Sequence, residues 1–212
     1  GFKPKLALNL KGGTKRGDYQ SLRAVVKTNE GPDAKRPEAN IASAAVTLPH
    51  SAFLANEHIR TVCTRVQYAA GAGNGAECPK GSIYGRARAV TPLLDDPLEG
   101  PVYLRSSSHP LPDVVVALHG LIDIELSGQT DSVNEGIRNT FASVPDAPAT
   151  KFVLELFGGK KALIVNSRNL CQGPKQKATA HFTGQNGAVH DFRPVVRNSC
   201  KKAKKSKKHR SR

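Results

Sequence analysis

Apolar residues recur at every second position in short runs, and glycine or proline ends each run within about ten residues. Lys3 to Leu10 places Leu6, Leu8 and Leu10 on one face, and Ser21 to Thr28 does the same with Leu22, Ala24 and Val26. Ile41 to Leu48 repeats the pattern through Ala42, Ala44, Val46 and Leu48, and Ser82 to Val90 through Ile83, Gly85, Ala87 and Ala89. Period two puts alternate side chains on opposite faces of a strand, so each run reads as a strand with one buried face. Further β-rich runs are Val102 to Ser106, Asp113 to Leu118, Leu121 to Leu126, Ile137 to Phe141, Gln176 to Thr183 and His190 to Val196.

Turn chemistry separates these runs. Lys151 to Phe157 and Lys160 to Val165 flank Gly158-Gly159, which predicts a hairpin, because a primed two-residue turn needs positive φ. Pro92 to Pro101 reads as a loop. Ser51 is a candidate cap for a short helical turn through Phe53 and Leu54, and Arg60 to Ala70 fits helix and strand equally. Many short strands and no long helix predict a mostly all-β chain: an antiparallel β-sandwich or Greek-key-like assembly with at most one or two short helices. With no Trp, no Met and only 5% aromatic residues, its core must come from Val, Leu, Ile, Ala and a few Phe.

The polar loop from Gly31 to Pro37 is a candidate seam. It divides N-terminal strands in 1–36 from a module in 37–200, with a basic tail in 201–212. The absence of Met, with a strand almost at Gly1, leads to the expectation that the chain is a piece of something longer. No apolar run approaches the roughly 20 residues that a membrane-spanning helix needs.

The four cysteines allow three connectivities. Local pairing, Cys63 with Cys78 and Cys171 with Cys200, spans separations of 15 and 29 residues. Such closures contribute about 3 and 3.5 kcal/mol on a chain-entropy estimate. A zinc site would call for clustered ligands such as C-x2-C, and none occurs. Two disulfides point to an oxidising, extracellular or envelope location.

The net charge is +15, and the tail holds about half of it: Lys201, Lys202, Lys204, Lys205, Lys207, Lys208, Arg210 and Arg212. Removing those eight charges from +15 leaves +7 on residues 1–200. A run of this kind attracts polyanions with strong salt dependence. No aromatic residue interleaves it, so base stacking is absent and no specific nucleic-acid readout is expected.

Few residues suggest chemistry. Asp95, Asp96 and Glu99 cluster near His109, the arrangement a hydrolase would draw on, but Leu-Asp-Asp-Pro-Leu-Glu-Gly-Pro lacks the ligand spacing of a Ca2+ loop and reads first as a solvated turn. His109, Asp113 and His119 are a weaker trio, since Asp113 and His119 would lie about 20 Å apart on one strand. Ser106, Ser107 and Ser108 precede His109 without a G-x-S-x-G elbow. Gly71-Ala72-Gly73-Asn74-Gly75 lacks the strand–helix setting of a dinucleotide fingerprint and reads as a flexible loop. No cofactor is implied.

One order of motifs is familiar. Val46-Thr47-Leu48-Pro49 leads to Cys63, then Cys78-Pro79 and Ser82-Ile83-Tyr84-Gly85, then Gly100-Pro101-Val102-Tyr103-Leu104. Asp146-Ala147-Pro148 follows, and Asn166-Ser167-Arg168-Asn169-Leu170-Cys171 precedes a final Cys200. Over residues 41–200 this resembles the repeated module of large, exported, uncharacterised proteins of high-G+C Gram-positive bacteria. The resemblance implies export, β architecture and both local disulfides, and carries no activity.

The expected function is therefore non-enzymatic: an exported or cell-surface module in a structural or adhesive role, its tail associating with anionic envelope polymers and its body with neighbouring modules of the same polypeptide. A carbohydrate-binding module is one alternative, with Tyr68, Tyr84, Tyr103 and Phe157 as the stacking groups. A hydrolase using Asp95, Asp96, Glu99 and His109 is the other.

Overall fold

A computed structural model describes residues 1–28, 35 and 38–200. The basic tail, and with it every expected polyanion-binding residue from Lys201 to Arg212, lies outside the described residues, as does most of the expected seam. Fourteen strands form one sheet: β1 (Lys5–Gly12), β2 (Tyr19–Lys27), β3 (Ile41–Thr47), β4 (Ala52–Leu54), β5 (Ile83–Val90), β6 (Leu98–Arg105), β7 (Asp113–Leu118), β8 (Ile124–Val133), β9 (Gly136–Phe141), β10 (Lys151–Leu156), β11 (Ile164–Asn166), β12 (Thr179–Gly184), β13 (Val189–Phe192) and β14 (Val196–Arg197). The fold is nearly all antiparallel β and sandwich-like, as the alternation predicts.

The strand order is β13-β12-β3-β9-β8-β7-β6-β5-β10-β2-β1-β14, with β11 bridging β2 and β4. β5 to β9 form a meander of chain neighbours. The last pair, β1 with β14, is parallel; the others are antiparallel. β1 and β2, from before the expected seam, belong to the same sheet as the rest.

β8 makes the sheet two-layered. Ile124 to Gly128 pair with β7, whereas Gln129 to Val133 pair with β9. The strand thus changes partner layer at Gly128, where an added Cβ would stand 2.3 Å from Asn139 Oδ1 and 2.8 Å from the Phe141 ring. Across the fold the inner faces meet: Phe2, Leu6 and Val26 pack with Ala44, Val46, Ala180 and Phe182.

Three expectations are corrected. Gly158-Gly159 makes no hairpin, because β10 is a central strand with β2 on one edge and β5 on the other. Only Gly159 has positive φ, at +64°, and it opens a 3-10 turn over Gly159–Lys161. Ser51 caps no helix; Ala52 to Leu54 pair as β4 with β11, and a 3-10 turn follows at Asn56–His58. Strand β6 begins at Leu98, inside the expected loop. Its register with β7 runs from Arg105–Asp113 through to Glu99–His119. Pro101 lacks an N–H to return to β7, so it interrupts hydrogen bonding without ending the strand. Beside it the Ala117 carbonyl lies against Gly100, where a Cβ would sit 1.6 Å from that oxygen.

The ambiguous segment resolves into α1 (Arg65–Ala69). A capping box starts it: Gln67 N donates to Thr64 Oγ1 (3.1 Å) and Thr64 N donates to Gln67 Oε1 (2.9 Å). Both local disulfides form, with Cα–Cα distances of 5.3 Å for Cys63–Cys78 and 5.5 Å for Cys171–Cys200. The first holds α1 and its loop over the outer face of β6 and β7, where Tyr68 and Tyr103 meet edge to face at 5.9 Å and pack with Cys63 and Val115.

Two stability outcomes follow. Gly100→Ala should cost roughly 3 kcal/mol or more, since the clash is with backbone; urea unfolding measures it. Replacing Cys63 and Cys78 together by Ala should cost about 3 kcal/mol, and reductant should then have a smaller effect on the variant's unfolding midpoint than on wild type.

A candidate binding chamber

Strands from both layers turn alternate side chains toward one interior, and these side chains do not fill it. A chamber of about 380 Å³ remains, lined from β1 by Leu6 and Leu8, from β2 by Ala24 and Val26, from β3 by Ala44 and Val46, and from β10 by Phe152 and Leu154. Leu104, Leu126, Phe141 and Phe182 close further sides. Interiors normally pack with few voids larger than a water molecule, so the space has a cause in sequence. Ala24, Ala44 and Ala89 stand at inward positions, and the chain has no Trp or Met to reach across.

The lining is apolar. Its polar side chains are Thr28, Thr91, Thr130 and Asn139, and none of the lining residues is charged. Asn139 Nδ2 donates to Thr130 Oγ1 at 2.9 Å, while the buried Asn139 Oδ1 has no partner among the described residues. The mouth lies at the end of the sheet where β5 passes to β6 and β7 to β8. Leu93 and Ile122 both line the chamber and are 69% and 51% exposed, and Pro145, Ala147 and Pro148 complete the rim.

One rim loop is tied by hydrogen bonds. Asp123 Oδ1 lies 3.1 Å from His119 Nδ1, and its Oδ2 accepts from Asn74 Nδ2 of the disulfide loop at 3.3 Å. Those hydrogen bonds, His119 first and Asn74 second, hold the Asp123 carboxyl below the ordinary carboxylate range.

The residues singled out from sequence do not gather here. Asp95 and Asp96 are exposed on the β5–β6 loop, and Glu99 faces outward, 3.2 Å from Arg88. Asp113 is buried at the start of β7, the far end from His119. His109 lies in the turn before β7, where its N–H donates to Ser107 Oγ, which in turn donates to the Leu111 carbonyl at 2.6 Å. Ser106 Oγ accepts from Arg65 N and anchors α1. Among the described residues no three of His, Cys, Asp and Glu are grouped to hold a metal ion. Tyr68, Tyr84 and Tyr103 are buried, so they offer no stacking face to solvent, and Phe157 is only partly exposed. Gly75, expected in a flexible loop, is wedged within 2.8 Å (by its would-be Cβ) of both the Tyr68 and Tyr103 rings.

A second polar cluster sits under the disulfide loop, on the outer face of the sheet. Arg105 donates to Glu125 Oε1 (3.0 Å) and Ser127 Oγ (3.1 Å), with its guanidinium 4.8 Å from the centre of the Tyr68 ring. Burial, and then the nearby Glu125 charge, push the Tyr68 hydroxyl above its ordinary range. This cluster clamps the loop and does not open into the chamber.

The rim tie has a pH signature. A carboxyl whose folded pKa is lowered stabilises above its unfolded value and loses that contribution as pH falls through the folded one. The Asp123 tie is therefore complete above about pH 4 and fails below it. Amide exchange over residues 119–123 should quicken in that lower window, and Asp123→Ala should show the faster exchange already at neutral pH. A scan against protein-family models and searches of curated proteins and of solved structures return no match to this chain.

Proposed function

We propose that this protein is a binding module for a small, neutral, largely aliphatic ligand, held in the chamber between its two β layers and acting outside the cytoplasm. The single observation that carries the reading is an interior space of about 380 Å³ with no charged residue in its lining. Ligand pockets fall in the range of about 300 to 1,000 Å³ and are mostly apolar with few polar groups. A charged head group inside would have no partner and would meet a large desolvation cost. The ligand's polar end, if it has one, belongs at the mouth, near Thr28 and Thr91.

The module is non-enzymatic in this reading. The Asp95, Asp96, Glu99 and His109 set expected of a hydrolase is dispersed, and the tyrosines expected of a sugar platform are buried. The two disulfides support an oxidising, extracellular setting. The resemblance to exported bacterial modules is in keeping with that setting.

A neutral, environment-sensitive naphthylamine dye tests the proposal. The full chain should take it up saturably at one site, and medium-length aliphatic alcohols should displace it. Ala44→Phe combined with Ala89→Leu fills the space and should weaken uptake at least tenfold, with an unfolding midpoint equal to or above wild type. Absence of saturable uptake by the wild-type chain would overturn the reading.

A further inference from the structure

The outer face of β14, β1, β2, β10, β5 and β6 differs from the outer face of β6 and β7 beside it. There α1 and the disulfide loop cover the sheet; here Arg23, Arg86 and Arg88 keep 49%, 72% and 55% of their side chains exposed. Cross-strand register arranges the charges in rows. Lys5, Lys27 and Lys151 stand directly opposite one another on three adjacent strands. None of the three has an acidic partner among the described residues. Like charges directly opposite disfavour pairing, so this row works against the fold unless an outside anion shares it.

The next row, Ala7, Val25, Val153 and Arg88, is neutral because Glu99 stands opposite Arg88, and the row beyond it is positive. Glu155 lies between Arg23 (3.2 Å) and Arg86 (2.7 Å), one carboxylate serving two guanidiniums, and Arg88 pairs with Glu99 at 3.2 Å. Arg197 extends the Arg23 row across β1 to the edge strand, and Lys11 projects from the same side of β1. The face thus holds eight cations against two carboxylates. Its net +6 is nearly all of the +7 that residues 1–200 carry, so the remainder of the body is close to neutral.

We propose that this face docks a linear anionic polysaccharide bearing sulfate or phosphate esters. Strands about 4.8 Å apart set the spacing within a row, and the positive rows recur at every second same-face position, about 13 Å apart, which suits an extended chain with anions spaced along it. Arginine matches such oxyanions with paired N–H donors. The side chains between the cations are Ala7, Asn9, Val25 and Val153, so no aromatic ring stands among them as a stacking platform for bases. Among the described residues no helix lies on the face to enter a groove of duplex DNA. The site shares no residue with the chamber lining or with the 201–212 run.

Heparin serves as the probe, with duplex DNA and uncharged dextran beside it, on the full chain at about 50 mM salt. One variant carries Lys5→Gln, Lys27→Gln and Lys151→Gln. A second replaces the eight cations of the tail by Gln. The first should lose at least about tenfold in heparin affinity and show a shallower salt dependence, while keeping wild-type dye uptake and an unfolding midpoint, without heparin, equal to or above wild type. The second should retain binding that the three lysine substitutions then abolish, and heparin should slow amide exchange in β2 and β10 of either background with the face intact. Wild-type heparin affinity in the first variant overturns the proposal. So does loss of all binding in the second, or tighter binding of duplex DNA than of heparin.

Discussion

Strand β8 gives its first five residues to β7 and its last five to β9, and the rest of the architecture depends on that division. It lets one hydrogen-bonded sheet supply both layers, so no separate sheet-to-sheet closure is needed. The bend has room because Gly128 has no side chain beneath Asn139 and Phe141. The inner faces of β1, β2, β3, β10 and β12 then look across one space. With alanines at Ala24, Ala44 and Ala89, that space stays open at its centre.

Period two was the strong signal, and it placed β1, β2, β3 and β5 within a few residues of their observed ends, while the continuous β-rich run Asp113 to Leu118 matched β7. It says which side chains share a face, but not which strands are neighbours. The Gly158-Gly159 expectation failed for that reason: local turn chemistry favoured a hairpin, while pairing with β2 and β5 took both edges of β10. Proline misled at β6 because Pro101 removes only one donor, and the opposite strand accommodates the gap. Both disulfides were legible because cysteine spacing is a local property.

The chamber was not legible. It is built from ordinary leucines, valines and alanines, each of which reads as core, and its existence depends on the sum of their volumes across two layers. Only the shortage of aromatics hinted that the interior would be hard to fill. Asp95, Asp96, Glu99, Asp113 and His119 drew notice for their side-chain chemistry, yet strand geometry sends them to different faces and ends. The basic face was hidden for the opposite reason. Its lysines and arginines are scattered over nearly the whole chain, from Lys5 to Arg197, and only register aligns them.

The Cys171–Cys200 bond also bears on self-association. The sheet ends in β13, four residues long, and β14, two residues long, both poor templates for strand addition from another molecule. β14 covers Leu8 and Asn9 at the middle of β1, while Lys5 and Lys11 stand toward that strand's ends. The disulfide fastens the segment that carries β14 to the stretch following β11. Were that segment to come away under reducing conditions, an eight-residue edge would lie open, with charge left only near its ends. A bond that first reads as a sign of compartment thus also holds β14 over the middle of the β1 edge.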